Sequence, residues 1–102
     1  MENAVVKEQL GKLPAKPGVY QMRDATGGIL YVGKAVNLRS RVRSYFTTRQ
    51  KLTPKLAQMV GRLAFIDYYV VPSETEALVL ELNLIQKHKP HYNVRLKDDK
   101  GF

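Results

Sequence analysis

Cysteine is absent from the 102 residues, which excludes disulfides and thiolate metal sites and leaves oxygen and imidazole ligands for any bound ion. Such a donor set favours one hard divalent cation, Mg²⁺ or Mn²⁺. No apolar run reaches the roughly 18 residues that a membrane-spanning helix needs. The opening MENAVVKEQL lacks the layout of a signal peptide, so a soluble cytoplasmic chain is expected. Acidic residues are scarce, 9 against 17 Lys and Arg, for a formal net charge of +8. That balance points to polyanionic partners, nucleic acid first among them, with a generic basic surface as the plainer reading. Internal repeats, low-complexity tracts, a Ser-His-Asp set, a phosphate-cradling Gly-rich loop and zinc spacing are missing as well.

What is present suits one domain, 1–102, with a single core. Val6, Leu10 and Leu13 mark a short amphipathic helix that stops before Pro14. Val19 to Arg23 and Ile29 to Val32 read as strands joined by a Gly-containing loop, a β-hairpin with Tyr20 and Tyr31 opposite each other or one step apart. Asn37 caps a helix from Leu38 to Phe46 whose apolar side is Leu38, Val42, Tyr45 and Phe46. Thr53-Pro54 opens another helix, with Leu56, Met59, Val60 and Leu63 at core spacing. Phe65 to Val71, β-branched and aromatic, reads as a central strand ending at Pro72. His91 to Leu96 reads as an extended tail with room for a short last strand, and KDDKGF as the start of further sequence. The expected fold is α/β in the α+β sense: a small, mostly antiparallel three-stranded sheet flanked by helices.

The last helix carries the anomaly. Ser73 with Glu76 forms a capping box and Pro90 marks the stop. At helical periodicity Ala77, Leu78, Glu81, Leu84 and Ile85 share one face, which puts a carboxylate in the middle of an apolar stripe. An ionised carboxylate there is costly unless a cation, a metal ion or several donors oppose it. A core-lining arginine or a place at the rim of the stripe would satisfy it without any chemistry.

Gly18-Val19-Tyr20 and, ten residues later, Tyr31-Val32-Gly33 resemble the two halves of the GIY-YIG signature, with valine for isoleucine in both. Gly33-Lys34, the RVRSY segment from Arg41 to Tyr45, Glu81 within EALVLELNLIQKHKP, and HYNVRLKDD extend the likeness over most of the chain. The chain is thus similar to the GIY-YIG nucleases, specifically to those of bacterial nucleotide excision repair. The resemblance implies a metal-dependent cut of one DNA strand on the 3′ side of a lesion. It implies damaged double-stranded DNA as substrate, delivered by a damage-recognition system that binds regions outside this chain. It further implies a divalent cation on Glu81, a phosphate contact from Arg41, and Tyr20 and Tyr31 beside the attacking water, with Lys34, Tyr45 and Asn93 completing the site.

Elementary chemistry agrees with those roles. One carboxylate suffices for Mg²⁺, which keeps waters and takes substrate oxygens as further ligands. The planar fork of Arg41 suits two phosphate oxygens. A phenol is a weak base at neutral pH and needs a nearby cation, for which Lys34 is the candidate. Tyr45, one turn beyond Arg41, is placed to orient it, and Asn93 to hold backbone or the tyrosines. Lys34, Arg39, Arg41, Arg43 and Lys51 make the sequence-independent DNA-binding surface. Taken singly, Tyr20, Tyr31 and Tyr45 would be packing residues, Lys34 and Arg41 solvated cations, and Asn93 a turn residue. Their company with Glu81 is what points to a site. Tyr68, Tyr69 and Tyr92 read as structural, and His88 and His91, straddling Pro90, do not read as a metal pair. The competing class is a non-catalytic nucleic-acid-binding module, which would keep Arg39, Arg43 and Lys51 without needing Glu81. No feature demands a partner subunit, so a monomer is expected.

Overall fold

A computed structural model describes residues 4–47 and 54–93. Along the chain run α1 (Ala4–Lys12), β1 (Gly18–Arg23), β2 (Ile29–Ala35), α2 (Leu38–Thr47), α3 (Pro54–Arg62), β3 (Phe65–Val70) and α4 (Glu74–His88), with one more helical turn at 91–93. The element order is the one the sequence predicts, but His91 to Asn93 are helical rather than extended. The suggested final strand, like Lys51, lies outside the described residues. No helix among them is long and apolar enough to cross a membrane.

Asp24 closes the hairpin, its Oδ1 accepting from Thr26 N, Thr26 Oγ1 and Gly28 N at 3.0, 2.7 and 2.9 Å. This is the local side-chain-to-backbone bonding that makes Asp a turn former. The sheet is antiparallel throughout in the order β2-β1-β3. β3 is therefore an edge strand and β1 the centre, contrary to the sequence expectation. The apolar run FIDYYVV identifies a strand but not its place, and Tyr68, Tyr69 and Val70 are left exposed. β2 runs past Val32 to Ala35. Its register puts Met22 opposite Tyr31 and Tyr20 opposite Gly33, so the two tyrosines are diagonal neighbours on one face.

Each edge of this sheet is held by one carboxamide. Gln9 of α1 donates Nε2 to Ile66 O at 2.9 Å and accepts from Ile66 N at 2.8 Å. Asn93 does the same on β2, accepting from Val32 N at 2.6 Å and donating Nδ2 to Val32 O at 2.8 Å. Both side chains imitate a neighbouring strand and occupy backbone groups that an edge would otherwise leave open. Asn93 and Val32 are buried. Asn93→Ala should thus strand two buried backbone groups and cost about 2–4 kcal/mol. For a domain of this size that lowers Tm by roughly 10 °C or more. A melting curve that matches wild type would contradict the assignment.

Helices cover both faces. Val6, Leu13, Leu38, Val42, Met59, Leu63 and Tyr92 pack with Tyr20, Met22, Leu30 and Ile66 on one side. On the other, Ala77, Leu80, Leu84 and Ile85 of α4 pack with Val19 and Val32. Ser73 caps α4 as predicted, accepting from Glu76 N at 3.2 Å, and Lys89 ends it in the left-handed region just before Pro90. Leu78, expected on the buried face, is exposed. α4 lies over β1 and β2, a narrow strip that buries a narrower stripe than periodicity suggests.

Candidate active site

Gly33 and Tyr20 face each other across β1 and β2, and the pair explains the second half of the signature. A Cβ on Gly33 would lie 2.5 Å from Tyr20 Cζ and nearer still to its hydroxyl. Only glycine lets the ring lie flat across this strand. At Gly18 a Cβ would collide with the Tyr69 carbonyl and with Leu38 Cδ1 at 2.6 Å. Gly33 thus makes room for the Tyr20 ring, and Gly18 for the neighbouring strand and for α2.

Around Tyr20 the sheet and α2 assemble a cluster. The Tyr20 and Tyr45 hydroxyls are 3.0 Å apart and hydrogen bonded, their rings edge to face with centroids at 6.3 Å. The Tyr31 ring centroid is also 6.3 Å from that of Tyr20. Arg41, one turn before Tyr45, brings its guanidinium to the same phenols. α2 starts where it does because Asn37 Oδ1 accepts from Ser40 N at 3.0 Å, and that start sets the phase that turns Arg41 and Tyr45 toward β1.

Electrostatics define the protonation state. Burial, reinforced by Tyr45 and Tyr31, pushes the Tyr20 hydroxyl well above the ordinary phenol value, against the opposing pull of Arg41. Tyr31 is pushed up to about 12, by burial first and then by Tyr45 and the negative charge of Glu81, with Arg41 again opposing. Arg41 is in turn pushed up, chiefly by Tyr20. The cation set against the phenols is thus Arg41, whereas Lys34, proposed from sequence for that task, is exposed and lines a neighbouring cleft. At neutral pH Tyr20 and Tyr31 are protonated.

A titration follows from these shifts. The folded protein keeps protons on Tyr20 and Tyr31 that the unfolded chain gives up near pH 10, so stability should fall as pH rises from about 10 to 12. Near-ultraviolet titration should show Tyr20 and Tyr31 ionising above the ordinary phenol range. Stability that stays level across that range would contradict the cluster's electrostatics.

Glu81 is half-buried on α4, in line with Ala77, Leu84 and Ile85, and near enough to Tyr31 for its charge to act on that phenol. The helix on one face of the sheet therefore contributes the carboxylate, and the opposite face contributes the tyrosines and Arg41. No group of three or more His, Cys, Asp or Glu side chains that could hold a metal exists among the described residues. A single carboxylate beside phenol oxygens fits a hard cation that keeps most of its water, and does not fit zinc.

The remaining sequence candidates fall into two groups. Arg43 lies on the exposed side of α2. Arg39 is exposed too, but its Nε donates to Leu13 O at 2.8 Å, tying α2 to the start of the first loop. Asn93 acts on β2 rather than on the phenols, fixing the strand that carries Tyr31 and Gly33. Sequence reasoning passed over Gln9, and also Ser40, which shares the Arg41 cleft. The i, i+4 spacing of Ser40 with Ser44, both beside Arg41, was the available signal for the latter.

Comparison with known proteins bears directly on this arrangement. Residues 16–94 match the family described as the UvrC-like GIY-YIG domain. The chain is 53% identical over 102 residues to UvrABC system protein C of Dehalococcoides mccartyi, covering all of this chain and 17% of that protein. It is 56% identical over 97 residues to the protein of the same name from Symbiobacterium thermophilum, covering 95% of this chain and 15% of that one. The chain thus spans about a sixth of the length of the curated relatives it matches. Among solved structures it is similar to the GIY-YIG N-terminal endonuclease domain of UvrC from Thermotoga maritima, bound to its catalytic divalent cation, magnesium. That likeness has 34% identity, a TM-score of 0.77, and covers 90% of this chain and 98% of that one.

Proposed function

The chain belongs to the UvrC-like GIY-YIG family, and from that premise we propose that residues 1–102 are one nuclease domain of a longer cytoplasmic protein. Its reaction is hydrolysis of one phosphodiester bond on the 3′ side of a lesion in double-stranded DNA, with Mg²⁺ as the working cation. The single observation that carries the reading is the convergence of Tyr20, Tyr31, Tyr45 and Arg41, with Glu81 acting on Tyr31 from the other layer. A packing cluster alone would not require the guanidinium or the carboxylate.

Each side chain has a distinct task in this mechanism. Glu81 holds the divalent cation, which when bound supplies a Lewis acid for the phosphate and the leaving 3′-oxygen. Arg41 binds the non-bridging oxygens of the scissile phosphate and meets the charge that grows on them. Tyr20 and Tyr31, kept neutral by burial, donate and accept hydrogen bonds, so they orient the attacking water and relay its proton as a pair to bulk water, from which the leaving 3′-oxygen takes up a proton in turn. Tyr45 links them to α2. Asn93 holds β2 in register and acts through Tyr31 as a positioning residue. Lys34, Arg39 and Arg43 supply charge for the backbone of DNA of any sequence, and Lys51 is assigned with them.

Recognition of the lesion lies outside these residues. We assign it to UvrA and UvrB, with UvrB engaging the longer protein elsewhere, and the domain itself as a monomer. The test is incision of a duplex carrying one defined lesion by the full-length protein with UvrA, UvrB and Mg²⁺. A nick 3′ to the lesion is expected, and its absence with an intact 5′ cut would overturn the reading. The alternative, a non-catalytic binding module, would bind DNA under the same conditions and leave the 3′ bond whole.

A further inference from the structure

Beside the tyrosine cluster lies a cleft of about 510 Å³ of which the mechanism above uses only Arg41 and the charge of Lys34. It is lined by Lys34, Ala35 and Val36 from the end of β2 and the turn after it, and by Ser40, Arg41 and Ser44 from α2, with Asn37 between. Its size falls in the range of roughly 300–1,000 Å³ typical of clefts that take a small ligand or part of a larger one. Among the described residues, no acidic side chain lines it. Arg41 belongs both to this cleft and to the phenol cluster, so whatever Arg41 holds at the reaction centre continues into the cleft.

The donors available there can be counted. Although the cleft opens at the start of α2, the backbone amides of Leu38, Arg39, Ser40 and Arg41 are already bonded to Lys16 O, Pro14 O, Asn37 Oδ1 and Asn37 O. The usual helix-terminus mode of anion binding, through free N–H groups, is closed. Ser44 Oγ donates to Arg41 O at 2.6 Å, so its proton is spent. Besides Arg41, the side-chain donors left are the Lys34 ammonium and the Ser40 hydroxyl, both on exposed side chains, and the Asn37 carboxamide N–H, with the exposed Val36 as an apolar surface beside them. A cation, a hydroxyl and a small apolar wall next to a phosphate-binding arginine match a phosphate with its deoxyribose.

We propose that Ser40 and Lys34 seat the DNA phosphate adjacent to the scissile one, so that the cut strand runs from the three tyrosines past Arg41 into this cleft. Ser40 is then a substrate-binding residue that fixes the strand's direction over α2. This inference rests on the nuclease reading above and adds the path of the strand.

The test uses full-length protein with UvrA and UvrB, Mg²⁺, and lesion duplexes in which one phosphate near the scissile bond at a time is a neutral methylphosphonate. In wild type, neutralising one immediate neighbour of the scissile phosphate should slow 3′ nicking about tenfold, the size of one charge-assisted hydrogen bond. Ser40→Ala should cost a few-fold on unmodified DNA and reduce the methylphosphonate penalty at that one position. Lys34→Met should nearly erase it, and Ser40→Asp should raise KM by repelling the phosphate. Equal penalties in wild type and both neutral variants, or no sensitive neighbour in wild type, would overturn the assignment. The nuclease reading fails separately, if wild type leaves the unmodified duplex uncut. Ser40 is exposed, so its variants should melt with wild type, which separates a lost contact from a lost fold.

Discussion

Glu81→Ala should slow 3′ nicking by roughly 10³-fold or more, since the several kcal/mol that a bound cation gives the transition state depend on that one carboxylate. Stability should change little by comparison. α4 is held by Ala77, Leu80, Leu84 and Ile85 against Val19 and Val32, and Glu81 is only half-buried among them. Glu81→Gln is the stricter version, because it keeps the shape and removes the charge. Either substitution also has a consequence that requires no DNA. The Glu81 charge helps hold the Tyr31 hydroxyl at about 12, so removing it should let Tyr31 ionise at lower pH. A variant that nicks at the wild-type rate would remove Glu81 from the reaction. One that loses nicking but leaves the Tyr31 titration untouched would place Glu81 away from the phenols.

Arg41→Lys is expected to lower kcat by about 10²- to 10³-fold, the range seen when one preorganised donor to a developing anion is removed. The charge survives the change but the fork does not. A lysine gives a point charge on a flexible stem where the phosphate takes two parallel bonds from a guanidinium. Arg41 also faces Tyr20, Tyr45 and Tyr31 and opposes the rise of the Tyr20 and Tyr31 hydroxyls. Moving the cation should therefore push both phenols still higher and weaken the pair as carriers of a proton. DNA affinity should fall much less than kcat, because Lys34, Arg39 and Arg43 still supply phosphate contacts. Single-turnover nicking beside a binding isotherm separates the two effects. A loss confined to KM would make Arg41 a DNA anchor only.

Some of this was legible before any coordinates. Glu81 could be picked out because it breaks a simple pattern, a carboxylate in an apolar helical stripe, whereas Tyr20 and Tyr31 were marked by the likeness of Gly18-Val19-Tyr20 and Tyr31-Val32-Gly33 to the GIY-YIG signature. The seven described elements follow periodicity and capping, and Ser73, Asn37 and Pro54 stand where their side-chain chemistry places them. Other features depend on pairing across long stretches of chain, which local patterns do not encode. β3 reads as a centre strand because its residues are apolar, yet sheet order is set by which strand β1 meets on its second side. The partner of the phenols proved to be Arg41, since Lys34 lies on β2 opposite Val19 while α2 turns its guanidinium inward. The edge clamps made by Gln9 and Asn93 join residues 57 and 61 positions apart, and a carboxamide carries no mark of that duty in sequence.

The most direct measurement is the position of a Mn²⁺ ion in a crystal of the domain, read from its anomalous scattering. One peak should lie against the Glu81 carboxylate on the side of Tyr31, within reach of a phosphate held by Arg41. A peak seated elsewhere, with Glu81 bare, would contradict the account.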